Sequence, residues 1–412
     1  FLPTPASVLK SSKSLGTCPL NFSKISFSDI LLVSRGIPST KDPQWGCFEF
    51  DQAQALKSLG HKVVILSVDE RIRFYRRKLG ITHAVIDGIE CYNLRFIPKK
   101  ISNLLGSCIS TKISRAQYDY LFNHIISKEG LPDIIYSHYL KISYNAIFLK
   151  NKYHLPLVAI EHWSEINKDT LIPEAKKIGN STYHHVDQLI CVSESLKQMV
   201  KKHFNQDSIV VHNMIAKAFC NSNFDSITNK KIQFVATGSL IYRKGFDLLP
   251  KAFSMLDLPN EQWELTIIGE GNEYGNLTQQ IHSASLHNNI HLVGIKTKEQ
   301  IAEILKNSSI FLLPSRNENF SVAVLEALAC GLPVIASICG GIRECINEKN
   351  GLLFPVDDVE KLAQSILYAV QHIDKYDRKA IAEDCQARFS PEVIAKQLTQ
   401  IFEDTIKKTK NN

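Results

Sequence analysis

A repeated rhythm restricts the fold of this chain more than any other feature. A short, wholly apolar run ends in a loop marked by glycine or proline, a helical stretch follows, and another apolar run succeeds it. The first instance is Asp29–Ser34 (DILLVS), a loop holding Pro38, Pro43 and Gly46, a helical stretch from Phe48 to Leu59 closed by Gly60, and the run Lys62–Val68. Runs apolar at every position are buried on both faces, and strand–helix–strand units close into parallel sheets through right-handed crossovers. The alternation continues through Asp133–Ser137, Leu157–Glu161, Gln188–Val192 and the SIVVH run within Asn205–Asn213. It stops at the polar stretch 221–231 and restarts with Gln233–Gly238, Glu264–Gly269, Asn289–Val293, Ser309–Leu313 and Pro333–Ser337. The pattern predicts an α/β protein of two successive doubly wound parallel-sheet domains, 27–220 and 232–390, joined by the linker 221–231. A final helix, about Pro391–Lys408 within 391–412, carries Ile394, Leu398, Ile401 and Ile406 at near-helical spacing and is expected to pack back on the first domain. Residues 1–26 mix Ser, Thr, Lys and Pro without periodicity and read as a loose leader.

Composition narrows the function classes. With 44% hydrophobic and 22% charged residues in 412, the chain is not intrinsically disordered. No apolar run reaches the roughly 18–20 residues of a membrane-spanning helix. The ten cysteines form no CxxC pair, which argues against a zinc site or a disulfide framework and fits reduced thiols in a cytosol. The net charge of +7 is uneven: residues 1–212 hold 27 Lys+Arg against 18 Asp+Glu, a surplus of nine, and the remainder is slightly acidic. A basic half points to an anionic partner, with nucleic acid and a phospholipid surface as candidates beside a merely soluble basic face. Nucleic acid ranks last, because the cationic-aromatic cluster Arg71, Arg73, Phe74, Tyr75, Arg76, Arg77, Lys78 lacks a recognised reading motif. Arg95, Lys99, Lys100, Lys112 and Arg115 extend that basic region.

In open parallel sheets, ligands bind outside the carboxyl ends of the strands. Four post-strand loops stand out. Gly238–Gly245 (GSLIYRKG) brackets Arg243 and Lys244 with glycines, a pairing suited to a diphosphate, and lacks the ending of a nucleotide-hydrolysing P-loop. Pro314–Ser321 (PSRNENFS) enters a helix that Ser321 is positioned to cap, with free amides favouring an anion. Glu326 follows inside that helix among small and apolar residues, where sugar hydroxyls or a structural Arg would satisfy it equally well. Cys339–Glu344 (CGGIRE) is a tight glycine turn, and Glu161–Ser164 (EHWS) presents His162, with His138 nearby after DIIYS. Gly269–Gly275 has the spacing GxGxxxG, a weak signal for a dinucleotide.

Taken together, these residues resemble the retaining, nucleotide-sugar-dependent glycosyltransferases of family four, with a GT-B fold of two Rossmann-like domains facing a cleft. Glu318 and Glu326 match that family's EX7E motif, GSLIYRKG its phosphate loop, CGGIRE its following glycine turn, and the stretch from Pro38 to Val63 its opening glycine loop and helix. The resemblance implies catalytic roles for His162, Lys244 and Glu318. It implies donor contacts from Gly46, Gly238, Ser239, Arg243, Asn319, Phe320, Ser321 and Glu326, with Gly294 beside the base. Lys244 would neutralise the leaving diphosphate, Glu318 would contact the donor sugar, and Glu326 would hold the ribose. No cofactor and no metal are expected, since fixed cations and a helix terminus stabilise the leaving group without one. The implied partners are a nucleotide-sugar donor, a glycan or lipid-linked acceptor and an anionic membrane surface at the cytoplasmic face, with no nucleic acid. Ser239 stands where the family commonly has an Arg, and the opening loop reads as having one glycine where many relatives have two. A non-catalytic binding subunit and a sugar-nucleotide epimerase are the competing readings.

Overall fold

The computed structural model describes residues 28–39, 42, 45–72, 78–220 and 231–411. The expected leader, all of the linker except Lys231, and Arg73, Phe74, Tyr75, Arg76 and Arg77 lie outside the described residues.

The first sheet has eight strands: β1 Asp29–Ser34, β2 Lys62–Val68, β3 Gly80–Ile86, β4 Ile89–Arg95, β5 Ile134–His138, β6 Leu157–Glu161, β7 Gln188–Cys191 and β8 Ile209–Val210. Their order is β3-β4-β2-β1-β5-β6-β7-β8, parallel except for the β3–β4 hairpin at one edge. The second sheet has β9 Ile232–Thr237, β10 Trp263–Ile268, β11 Ile290–Leu292, β12 Ile310–Leu313, β13 Val334–Ser337 and β14 Gly351–Phe354. Its order, β11-β10-β9-β12-β13-β14, is that of a doubly wound dinucleotide-type sheet. The uninterrupted apolar runs are what centre the strands: Ile30 to Val33 in β1 and Ile310 to Leu313 in β12 are all buried.

Two readings of the first half need correction. The strand expected within Asn205–Asn213 is only Ile209–Val210, because it is an edge strand paired through Ile190 and Cys191 alone. The chain then leaves the sheet, and the Ile215 amide donates to the Phe389 carbonyl. The β3–β4 hairpin was not expected, although its Asp87–Gly88 turn has both residues at positive φ, the signature of a tight two-residue hairpin.

The strand order reverses between β1 and β5 in one sheet and between β9 and β12 in the other. In open parallel sheets, loops that diverge from such points form the crevices where ligands bind. The C-terminal helix Pro391–Asn411 lies on the first half: Phe402 packs 5.0 Å from the Tyr136 ring, and Thr399 Oγ1 is 2.8 Å from His61 Nε2. One buried apolar cluster runs from Leu32 and Ala53 to Val324, Leu328 and Phe402, joining both halves. No helix among the described residues is long and apolar enough to cross a membrane.

Candidate functional site

The site assembles from the loops after β9 and β12, which leave neighbouring strands side by side. Tyr242–Lys244 forms a single tight turn ended by Gly245 at φ 67°, and a side chain at Gly245 would strike the Pro314 carbonyl. Arg316 binds the two loops together: its amide donates to the Arg243 carbonyl (2.8 Å), and its guanidinium forks onto Asp247 (2.8 and 2.9 Å). The result fixes Lys244 Nζ 2.5 Å from Glu318 Oε1, with Arg243 3.6 Å from the other carboxylate oxygen and Ser315 Oγ donating at 2.8 Å. Burial alone would raise the Glu318 pKa, but Lys244 and Arg243 outweigh it and hold the group below its ordinary value. Glu318 is therefore an ionised, buried carboxylate in a cationic frame.

The glycine turn after β13 packs against the backbone of Glu318 and Asn319. Gly340 has φ 52°, and a Cβ there would collide with the Glu318 carbonyl; the Gly341 amide donates to the Asn319 carbonyl at 2.9 Å. Three asparagine amides then stitch the two halves: Asn167 to the Glu318 carbonyl (2.8 Å), Asn319 to the His162 carbonyl (2.7 Å) and Asn213 to the Phe320 carbonyl (2.8 Å). Phe320 is a buried wedge, its ring 4.5 Å from that of His212. Ser321 occupies the N-cap position of the helix Val322–Ala329, but its side chain makes no capping bond, so the expected cap is corrected. Ser321 is buried in the crowded Phe320 turn, and the first turn of the helix carries no side-chain cap.

Glu326 lies farther along the same helix, half-buried, and no hydrogen bond reaches its carboxylate among the described residues. Burial lifts its pKa to about 8, opposed by Lys298 and reinforced by Asp51. No arginine pairs with it among the described residues. Instead, Lys298 Nζ sits 2.5 Å from both oxygens of Asp51, an ion pair across the two halves beside Glu326. Asp51 belongs to the first-half helix Cys47–Ser58, whose N-cap is Gly46.

Gly238 follows β9, where a side chain would meet Phe246 and Lys244 at ordinary contact distance, whereas Ser239 is exposed. Gly294 follows β11, two strands from Gly238's, and its carbonyl accepts from the Gly269 amide (3.0 Å). His162 follows β6, its Nε2 3.3 Å from His138 Nδ1 with the rings stacked. Burial, then His138, hold His162 well below its ordinary pKa, so it is a neutral imidazole at neutral pH. Its turn is formed by Glu161, which accepts from the amides of His162 (2.9 Å) and Trp163 (2.6 Å).

Sequence reasoning passed over several neighbours of these residues. Arg35, directly after β1, donates from Nε to Glu49 (2.8 Å) and lies 3.8 Å over the Tyr139 ring. Gly36 packs against Trp45, and a side chain at Gly46 would strike the Gly36 carbonyl. The position of Arg35 at the end of a central strand was the available signal. Asp51 and Lys298 had none, being 247 residues apart.

Two family models match the chain: "Glycosyltransferase Family 4" over residues 50–218 and "Glycosyl transferases group 1" over 221–383. An uncharacterized glycosyltransferase of Methanocaldococcus jannaschii is 27% identical over 290 residues, covering 68% of this chain and 78% of its own. The GPI3 subunit of the Saccharomyces cerevisiae phosphatidylinositol N-acetylglucosaminyltransferase is 24% identical over 379 residues, covering 87% of this chain and 80% of its own. Among solved structures, sucrose-phosphate synthase from Thermosynechococcus elongatus superposes with a TM-score of 0.74 at 18% identity, over 91% of this chain and 98% of that one. HepE from Anabaena, solved with UDP and glucose, gives 0.69 at 16% identity, over 92% and 100%.

Proposed function

The chain belongs to the family-four glycosyltransferases with the GT-B fold, and from that membership we propose that it transfers a sugar from a nucleoside-diphosphate donor to a glycan or lipid-linked acceptor, with retention of configuration. The observation that carries this reading lies on one loop and the helix it enters: Glu318 ion-paired to Lys244, and farther along Glu326, a carboxylate with no hydrogen bond among the described residues. In the transfer, the bond from the anomeric carbon to the diphosphate breaks, the acceptor oxygen bonds to that carbon, and the acceptor proton leaves with the diphosphate. Negative charge develops on the leaving oxygens, and Lys244, Arg243 and the uncapped start of the helix Val322–Ala329 are fixed where they offset it without a metal. Arg243, close to Glu318, supplies the second cation that Ser239 does not. Glu326 accepts from the ribose hydroxyls, which provide the hydrogen bonds that none of the described residues gives it. Glu318 and the neutral His162 hold hydroxyls of the donor sugar, Gly46 closes over the phosphates, and Gly294 borders the base. The first domain receives the acceptor at the cytoplasmic face of a membrane.

A thermal-shift screen of UDP, GDP, ADP and their sugars tests the donor assignment, because a ligand of the folded state raises its stability. One nucleotide series is expected to raise Tm in the wild type and to lose that effect in Lys244→Ala. No shift from any nucleotide or nucleotide sugar would overturn the reading.

A further inference from the structure

Beside the cleft, the first domain exposes apolar side chains that a folded surface ordinarily hides. Residues 103–109 form seven consecutive exposed positions, with Leu104 at 84% and Leu105 at 57%. Ile101, Ile109, Phe96 and Leu79 are exposed as well. They converge on one rim. Gly80 is the register partner of Arg95, so Leu79 and Phe96 leave the β3–β4 hairpin at the same end, and the Lys99 amide donates to the Glu70 carbonyl just past β2 (2.8 Å). This is the carboxyl end of the parallel strands β2 and β4, the edge of the sheet on which the cleft opens.

The leucine pair is held out by a built turn. The amides of Leu104, Leu105 and Gly106 donate to the carbonyls of Ile101, Ser102 and Asn103, each at 3.1 Å. Ser110 Oγ closes the base of the turn, 2.8 Å from Ser102 Oγ and 2.7 Å from Asn103 Oδ1. A backbone satisfied within itself can enter an apolar phase without stranding polar groups.

The charge around this tip selects its partner. Between residues 91 and 118 there is no Asp or Glu, while Arg95, Lys99, Lys100, Lys112 and Arg115 fall within that stretch. Lys100 and Lys112 are exposed, as is Lys78 next to Leu79. Asp69 is committed to Arg71, and Glu70 accepts from Gln117 (3.2 Å). An apolar tip ringed by cations matches an anionic bilayer surface, in which leucines sit at the acyl boundary and lysines among the headgroups.

We infer that the turn Ile101–Ile109, with Leu79, Phe96 and the flanking lysines, docks the protein on an anionic lipid bilayer and so aims the cleft at a lipid-linked acceptor. The acceptor clause rests on the transferase reading above; the docking itself does not. The test is co-sedimentation of the full chain with vesicles of phosphatidylcholine alone or mixed with phosphatidylglycerol. Wild type is expected to bind the mixed vesicles, weakly or not at all the zwitterionic ones, and to release in high salt. Leu104→Ser with Leu105→Ser should lower partitioning about tenfold, and Lys100→Glu with Lys112→Glu should lower it while weakening the salt dependence. Both variants should keep wild-type Tm and wild-type nucleotide binding by calorimetry, which separates failure of docking from failure of the donor site. Undiminished binding by the serine variant, or no binding of wild type to anionic vesicles, overturns the proposal. A wild-type dimer that the serine variant dissociates in sedimentation velocity also overturns it, assigning the patch to a second copy of the chain.

Discussion

The two halves of the cleft are built on the same sheet plan but held together differently. On the second domain, the loops after β9, β12 and β13 lock one another through Gly245 on Pro314, Arg316 on Asp247 and Gly340 under Glu318, leaving buried charge already paired. On the first domain, the equivalent edge carries an exposed leucine turn and an exposed antiparallel strand, β3. The difference teaches that the loops of one half are locked in place before any ligand arrives, as the proposed grip on a diphosphate requires, while the other half leaves apolar surface uncovered.

The sharpest way to break this contrast is at Lys244. Lys244→Ala should lower kcat by about 10²–10³-fold, the range for removing one charge-stabilising group. It should also destabilise the fold by about 3–5 kcal/mol by stranding the buried Glu318. Adding Glu318→Gln to Lys244→Ala should recover much of the stability and none of the turnover, as read by denaturant melts and a transfer assay. Equal losses of stability in the single and double variants would break the contrast.

A second effect follows from Glu326. With its pKa lifted from 4.5 to about 8, the folded chain keeps a proton there that the unfolded chain has lost. That contribution to stability is complete below the unfolded value and disappears as pH rises through about 8. Glu326→Gln should flatten the decline of Tm in that range. Because ribose hydroxyls donate best to an ionised carboxylate, donor Kd should fall as pH rises toward 8 in the wild type and lose that slope in the variant, measured by calorimetry.

Smaller effects probe the seam. Asp51→Asn removes a partly exposed pair with Lys298, so the loss of stability should stay under about 1 kcal/mol and shrink in salt. KM for the donor should rise several-fold more than kcat falls, if this pair sets how the halves meet over the nucleotide. The smallest change compares two serines. Ser193 accepts from the Leu196 amide at 3.1 Å, so Ser193→Ala should cost about 1 kcal/mol. Ser321 makes no such bond, and Ser321→Ala should be nearly silent in denaturant melts.

The meeting of the loops around Lys244 and Glu318 was legible in the sequence because each loop is set by its own strand. Each loop directly follows an apolar run, and once β9 and β12 are neighbours, Lys244 and Glu318 must meet. The seam was not legible, because Asp51 with Lys298 and Asn319 with the His162 carbonyl join residues whose proximity only the docking of the halves creates. The leucine turn was hidden for a different reason: Leu104 and a core leucine read alike until burial is known. The β3–β4 hairpin was written in Asp87–Gly88, and attention to helix-linked strands obscured it.

The central claim is that Lys244 grips a diphosphate. Calorimetric titration of wild type and Lys244→Ala with a nucleoside diphosphate and with the corresponding nucleoside tests it most directly. The diphosphate should bind the wild type far more tightly than the nucleoside does, and the variant should bind the two alike. A variant that keeps the full preference for the diphosphate would contradict the account.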